Sequence, residues 1–386
     1  MHAYELRIFD TTLLRFELES ADLEGLRAMI LSVKENEKHL LPLDLELSGE
    51  GVAAWLRRRV IPKNRAFVDE ILRSLGLTQG DTKGIIDICK GLSLNDCYWV
   101  VPEGFEGKFA NFNLYENRFS EILALVAYTG AGQSNEAFTT SPELTTNGAL
   151  PKAWRFVESD GITLYKGGTI GAVNTGNEPF AEFYACQIAQ TMGLDVVQYD
   201  LENWKGILAS TCRLFTNLDT AYVPIGRVVR SGGLKACLDY YEKLSPQAFD
   251  TVKSMLVFDA VICNEDRHFG NFGLLRDNHT GKILGPAPLF DHGYSLFNFA
   301  MPGDFADLAA YAKTRRPVYD DTSFDGICRA VMGKAQAVQL RQLIGFTFRQ
   351  HPSINWPEER LQAIEKYLQV RVRELLAIAQ EKSKGK

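Results

Sequence analysis

The spacing of apolar positions changes character along the chain. In the first 130 residues, short alternating runs are mixed with helical ones. "YELRIFDTTLLRFEL" predicts two strands and a turn. "VAAWLRRRVIPKNRAFVDEILRSLGL" has helical spacing and predicts two helices split near Pro62, while "ILALVAYTG" predicts a helix with its glycine stop. "GLSLNDCYWVVPEG" reads as aromatic and turn-rich. The three arginines opening "LRRRVIPKNR" are expected on a solvated face, with an interaction surface as the alternative.

After the polar, Thr-rich "AFTTSPELTTNGALPKAWRFV", strands take over. "KAWRFVESDGITLYKGG" predicts two alternating strands joined at "ESDG". "NEPFAEFYACQIAQTMGL" predicts an amphipathic helix ended by Gly193, and "VVQYDLENWKGILASTCRLF" another hairpin. From residue 245 the pattern is helical, interrupted by a polar loop and by "GKILGPAPLFDHG". In "FDTVKSMLVFDAVIC", Val252, Met255, Leu256 and Val261 recur at three- and four-residue intervals, a buried-helix pattern. "WPEERLQAIEKYLQVRVRELLAIAQ" predicts a long helix opened by Pro357, with Leu361, Ile364, Leu368, Val372 and Leu375 on one stripe. There are no internal repeats, and the only biased tract is the charged tail "EKSKGK". This order predicts three parts: 1–130, an accessory subdomain; 131–220, a strand-rich lobe; and 221–386, a helical lobe. Polar clusters at the junction of the lobes suggest a ligand between them.

Length and composition narrow the class. The chain has 386 residues, 46% apolar and 23% charged, enough for two or three domains and a large core. A net charge of −6 offers no broad basic surface for nucleic acid or membrane. The seven cysteines (89, 97, 186, 212, 237, 263 and 328) never form a CxxC pair and mostly fall in apolar runs. They read as reduced, buried thiols of a cytoplasmic protein. The opening "MHAYELRIFDTTLLRF" alternates and carries charge, unlike a signal peptide. No stretch approaches eighteen apolar residues, so no transmembrane helix is expected.

The chemistry concentrates in "NEDRHFGNFGLL", residues 264–275, a polar loop between a helical run and a strand-like one. Phosphoryl transfer of the protein-kinase type needs a carboxylate to receive a hydroxyl proton, and Asn and Asp oxygens to hold Mg²⁺. Asp266 and Asn271 have the five-residue separation of the kinase catalytic loop H-R-D-x-x-x-x-N. The intervening "FGLLRDNHTGKILGPAPLF" is expected to form a hairpin that returns Asp291, in "FDHG", beside Asn271. Upstream, Lys166 ends the strand "GITLYK", suited to α- and β-phosphates. Glu182 on the next helix is positioned to pair with Lys166, with Glu178 as its competitor. "TTNGALPK", with Asn147, Gly148, Ala149 and Lys152, precedes that strand and could cradle phosphates through backbone N–H groups.

"ICNEDRHFGNFGLL" with "PLFDHG" resembles the HipA-like serine/threonine kinases of bacterial toxin–antitoxin systems, whose signature is N-x-D-R-H-x-x-N. "TTNGALPK" is similar to their phosphate loop, S-x-[SA]-G-x-Q-x-K, with Gly148 and Lys152 in register. "AEFYACQIAQTMGL" resembles their helix bearing E-x-x-x-x-x-x-A-x-x-x-G. The match covers roughly residues 140–300 well, the C-terminal helices loosely and the N-terminal segment poorly. It implies an α+β, bilobal protein-kinase-like fold with a strand-rich N-lobe, a helical C-lobe and a small N-terminal α/β subdomain. The resemblance implies ATP and Mg²⁺, with Asp266 as catalytic base, and Asn271 and Asp291 as metal ligands. It further implies Lys166, His268 and Phe290 at the nucleotide. "TCRLF" would be the hinge that meets adenine through backbone groups of Cys212 and Leu214. Leu150 replaces the loop's usual Gln, and Thr145 stands where the family's self-phosphorylated Ser falls.

A protein substrate and a helix-turn-helix antitoxin partner follow from the resemblance, with no direct nucleic-acid or membrane binding. Plainer readings stand beside these: His268 as a brace for its own loop, Lys166 as an ordinary strand-end lysine, Arg267 as a loop-bracing salt bridge. The His and Asp residues of this region also suggest a zinc or di-metal hydrolase, but they lack an HExxH-type ligand pair. Besides a kinase acting on a protein hydroxyl, the open alternatives are a phosphatidylinositol-type or small-molecule kinase, and a nucleotide-binding module without turnover.

Overall fold

Along the first strand, β1 (His2–Ile8), Tyr4, Leu6 and Ile8 point to one side and are buried. The same alternation in β2 (Thr11–Ala21) buries Leu14, Phe16 and Leu18. Antiparallel pairing sets Tyr4 opposite Phe16 and Leu6 opposite Leu14, so the apolar sets meet on one face. β3 (Gly25–Val33) follows, then helices α1 (Gly49–Arg57), α2 (Val68–Arg73) and α3 (Thr82–Cys89), and strand β4 (Tyr98–Pro102). The sheet order is β3-β2-β1-β4. Ser48 caps α1 by accepting the Gly51 N–H at 3.0 Å. The break around Pro62 separates α1 from α2 as expected, and α4 (Glu121–Thr129) ends at Gly130, whose φ of 70° closes the helix.

This computed structural model describes residues 2–21, 25–132, 140–171, 174–318 and 322–384. The first residues of the Thr-rich stretch and the last two of the charged tail lie outside them. The chain divides into two compact units. One comprises Met1–Lys166, Arg213–Val223 and Leu275–Leu284; the other comprises Gly167–Cys212, Pro224–Leu274 and Gly285–Lys386. In the first unit, β5 (Lys152–Val157) and β6 (Gly161–Lys166) form the expected hairpin, with Lys152 directly opposite Lys166.

Three expectations for the first unit change. The strand β3 escapes a periodicity reading because it is an edge strand with Met29 and Leu31 exposed and only Leu26 buried. "YWVVP", read as turn-rich, is the buried strand β4. The arginine run is not uniformly solvated. Arg57 and Arg58 are exposed, but Arg59 is buried, donating to the Asp96 carboxylate at 2.6 and 2.8 Å and to the carbonyls of Gly91 and Tyr98. A helix end that returns to the core carries its third arginine inward, and a fork of donors is then needed to satisfy it.

In the second unit, α5 (Glu178–Thr191) precedes the hairpin β7 (Tyr199–Trp204) and β8 (Ile207–Arg213). The expected amphipathic α5 is instead buried on nearly all sides, Glu178 and Glu182 included. Helices α6 (Ile225–Val228), α7 (Gly233–Leu244) and α8 (Pro246–Ile262) follow strand β9 (Thr220–Pro224), which lies in the first unit but for Pro224. After the polar loop the chain returns to the first unit for most of the short strands β10 (Gly273–Asp277) and β11 (Ile283–Pro286). Helices α9 (Leu308–Lys313), α10 (Phe324–Val331), α11 (Lys334–Arg341) and α12 (Glu358–Lys384) complete the second unit. α8 runs through its centre, packed by α7, α10, α11 and α12. The predicted stripe of α12 (Leu361, Ile364, Leu368, Val372, Leu375) is buried throughout. Among the described residues, no helix is long and apolar enough to cross a membrane. None of the seven cysteines is in a disulfide, and all but Cys212 are buried; burial pushes the Cys89, Cys186, Cys237 and Cys263 thiols up to about 11.

The two kinds of arginine in one run make a direct comparison. Arg59→Met should cost about 3–5 kcal/mol by stranding the Asp96 charge, whereas Arg57→Met, which loses one hydrogen bond to the Leu26 carbonyl, should cost about 0.5–1.5 kcal/mol. Urea unfolding midpoints of the two variants check this.

Candidate functional site

The polar loop begins where α8 must stop. Cys263 adopts φ 52° and turns the chain, and the Asn264 N–H returns to the Asp259 carbonyl at 3.0 Å. Asp259 is an acid inside an otherwise apolar helix and is completely buried. Its carboxylate accepts from Asn264 Nδ2 at 3.0 Å and from the fully buried Arg267, whose Nε and Nη2 lie 3.1 Å from Oδ2 and Oδ1. Burial pushes the Asp259 carboxyl up, against the pull of Arg267. The Arg267 fork continues outward. Nη1 donates to the Asn271 carbonyl at 3.0 Å and to the Phe290 carbonyl, and Nη2 meets His292 Nδ1 at 2.9 Å.

One guanidinium therefore ties the loop of residues 264–271 to the segment carrying Asp291. The loop is also closed on itself. The Asp266 carbonyl accepts from the His268 N–H at 2.8 Å and from Asn271 Nδ2 at 3.0 Å, while the Asp266 N–H donates to Asn264 Oδ1 at 3.2 Å. His268 is exposed, and its Nδ1 accepts the Gly270 N–H at 3.0 Å, so the ring braces its own loop.

The Asp291 segment is fixed from its other side by α5 and β7. Leu289 pairs with Asp195 and Val197 through N–H···O bonds of 2.8 Å each. Asp291 adopts φ 58°, a left-handed conformation that costs energy outside glycine, and its N–H donates to the Tyr199 hydroxyl at 3.0 Å. The His292 N–H donates to Glu182 Oε2 at 2.7 Å. Glu178, its competitor for Lys166, accepts instead from the Thr169 hydroxyl and N–H. Gly293 is bare where α5 approaches: a Cβ there would lie 3.2 Å from Glu178 Cβ.

In the first unit, the loop ahead of β5 presents Asn147, Gly148 and Ala149 to solvent. Gly148 has φ 94°, and a Cβ would fall 2.2 Å from Lys152 Nζ, which donates to the Asn147 carbonyl at 2.9 Å. Lys152 and Lys166 are both largely buried at facing positions of the β5–β6 pair. Thr145 is buried, its hydroxyl donating to the Pro142 carbonyl at 3.3 Å. The Leu214 N–H is committed to the Ile162 carbonyl at 2.9 Å. Cys212 lies across from Tyr199 in the β7–β8 pair.

No protein-family model matches the chain. It is 27% identical over 135 residues to the serine/threonine-protein kinase CtkA of Helicobacter pylori, a match covering 31% of this chain and 41% of that protein. The chain thus spans about two fifths of the length of this curated relative. The crystal structure of the H. pylori proinflammatory kinase CtkA superposes with a TM-score of 0.50 at 18% identity, over 61% of this chain and 92% of that one. HipA of Shewanella oneidensis MR-1, solved with HipB and operator DNA, superposes with a TM-score of 0.57 at 14% identity over 98% of both chains.

The chain has the fold of the HipA-like kinases.

Within this HipA-like fold, the second unit brings Asp266, Asn271 and Phe290 onto one hydrogen-bonded scaffold, with Asp291 next in the chain and Glu182 one bond away at His292. The first unit carries Asn147, Gly148, Ala149, Lys152, Lys166 and Leu214. Among the described residues, no three His, Cys, Asp or Glu side chains converge as a metal cage. Magnesium in phosphoryl transfer needs only one or two carboxylates besides substrate phosphates, and Asp291 with Asn271 is an oxygen donor set of that kind. Sequence reasoning missed Asp259, gave Asn264 no role beyond its place in the signature, and weighed His292 only as a zinc or di-metal ligand. The available signal was the acid within "MLVFDAVI", since a carboxylate in a helix buried all round must have a partner.

Arg267→Met should strand the Asp259 charge and release both loop carbonyls. We expect a loss of about 3–5 kcal/mol of stability, read by thermal unfolding; an unchanged melting temperature would show that the pair does not hold the loop.

Proposed function

We propose that the chain is an ATP- and Mg²⁺-dependent kinase that transfers the γ-phosphate to a Ser/Thr hydroxyl of a protein. The observation that carries the reading is the Arg267 fork, which binds the carbonyls of Asn271 and Phe290 through one nitrogen. That bond keeps the base candidate and both oxygen-donor candidates in adjacent, braced turns, as phosphoryl transfer requires of groups that work mainly by position.

In this reading Asp266 receives the proton of the substrate hydroxyl as its oxygen bonds to the γ-phosphorus and the bond to ADP breaks. Asn271 and Asp291 would hold Mg²⁺, which when bound would supply positive charge to offset that of the transferring phosphates. Lys166 meets the α- and β-phosphates, and Glu182 orients both α5 and the His292 turn. Asn147, Gly148, Ala149 and Lys152 cradle phosphates, while Cys212, Leu214, His268 and Phe290 belong to the nucleotide site. The division into 1–130, 131–220 and 221–386 is the functional partition that accompanies these roles. The likeness to a HipA solved with HipB supports a helix-turn-helix antitoxin partner for this chain as well.

Self-phosphorylation of Thr145 remains part of the proposal and carries a structural condition. Its hydroxyl is buried against Pro142, so modification requires the loop to open. A phosphoryl group adds about −1.5 to −2 charge and would then keep the loop from closing over ATP. Mass spectrometry after incubation with ATP and Mg²⁺ checks for the Thr145 phosphopeptide.

Asp266→Asn is nearly isosteric but removes the proton acceptor. Transfer to a protein substrate should fall ~10²–10⁴-fold while the melting temperature holds; wild-type turnover would end the kinase reading. Asp291→Ala removes the charged Mg²⁺ ligand and should abolish the Mg²⁺ dependence of ATP binding. Calorimetry with and without Mg²⁺ tests it, and an unaltered dependence would put the metal elsewhere.

A further inference from the structure

The phosphate-loop candidate is gripped by a residue from the N-terminal part of its unit. Arg65 lies between α1 and α2, and its side chain is completely buried. Nη1 donates to the carbonyls of Glu143 and Thr146 at 3.3 and 3.0 Å. Nη2 donates to the Lys152 carbonyl at 2.8 Å and to the Glu143 carboxylate. The next residue, Ala66, donates its N–H to the Ala149 carbonyl at 2.8 Å. Two consecutive residues thus hold the loop at its entry, its middle and its exit. The other Glu143 oxygen accepts the Trp154 N–H at 2.8 Å, which extends the hold into β5.

A trans peptide fixes what this grip does. The carbonyl of one residue and the N–H of the next point in opposite directions. Drawing the Thr146 and Ala149 carbonyls toward Arg65 and Ala66 turns the N–H groups of Asn147 and Leu150 the other way. Those two amides flank Gly148, in the part of the loop where Asn147, Gly148 and Ala149 are exposed. An arginine is needed here because a planar fork reaches a carboxylate and three carbonyls at once, which an ammonium cannot.

We infer that Arg65 is a positioning residue for the phosphate loop. It sets the amide direction that receives nucleotide phosphates, and it makes the loop's closed state depend on the segment 1–130. Opening the loop to expose Thr145 must break the same bonds. The kinetic consequence rests on the kinase reading above; the structural hold does not.

The test compares Arg65→Met with the double variant Arg65→Met/Glu143→Met. The single variant strands the buried Glu143 charge and should lower the melting temperature. The double variant replaces the pair by apolar side chains and should recover it. Loop positioning should not recover: residues 143–153 should exchange amide hydrogens faster than in the wild type. The KM for ATP should stay raised about tenfold, as for losing charged hydrogen bonds, with kcat changed less than about threefold. If the double variant regains both wild-type KM and wild-type protection, Arg65 is merely structural and the inference is wrong. If the wild type shows no ATP-dependent turnover, the kinase reading fails, and exchange alone decides the hold. Should the double variant not fold, Arg65→Lys keeps a cation beside Glu143 without the fork. Unchanged exchange and KM in that variant would equally overturn the inference.

Discussion

A guanidinium taken fully out of water must find a partner for its charge and for each of its donors, and Arg267 does so within a few ångströms. Asp259 answers the charge; the carbonyls of Asn271 and Phe290 and the imidazole of His292 answer the outward donors. Desolvating such a pair costs several kcal/mol per ion, offset only when the geometry is complete. The loop and the Asp291 turn are therefore not independent of each other. Displacing either leaves a buried donor without an acceptor. The strain at Asp291, with φ 58°, is tolerated because Tyr199, Leu289 and His292 fix the chain on both sides of it.

The same device recurs in the first unit with different surroundings. Arg59 joins Asp96 to two carbonyls, Arg65 joins Glu143 to three, and Arg276 reads the carbonyls of His39, Leu41 and Gly281 together with the Tyr98 hydroxyl. Arg59 and Arg65 lie in irregular chain, and Arg276 reaches from within β10 to carbonyls of irregular chain or a helix end, which lack partners of their own. Buried arginines here do the work that a sheet or helix does elsewhere: they satisfy loop backbone in the interior.

How much of this was legible follows from what periodicity can see. The hairpins β5–β6 and β7–β8 and the stripe of α12 each have one face in a core, so alternation or three-four spacing marks them directly. The edge strand β3 exposes Met29 and Leu31, and α5 is buried almost all round, so neither pattern has a contrast to read. The spacing of the candidates Asp266 and Asn271 was legible because both fall in one short loop, and Asp291 was legible through its own short motif, "FDHG". The residues that hold those loops were not. Arg65 and Glu143 are 78 positions apart, and Arg267 reaches His292 across 25 positions, so no local window contains either pair.

The burial of the cysteines has a chemical consequence. A thiol whose ionisation is displaced to about 11 or 12, as at Cys89, Cys186, Cys237, Cys263 and Cys328, carries almost no thiolate at neutral pH and is shielded from reagents besides. Cys89 belongs to the first unit and Cys263 and Cys328 to the second, so each unit contains its own silent nucleophile. An alkylating reagent therefore meets these sulfurs at the rate at which the surrounding unit opens. The positions of the labels would record which unit opened first.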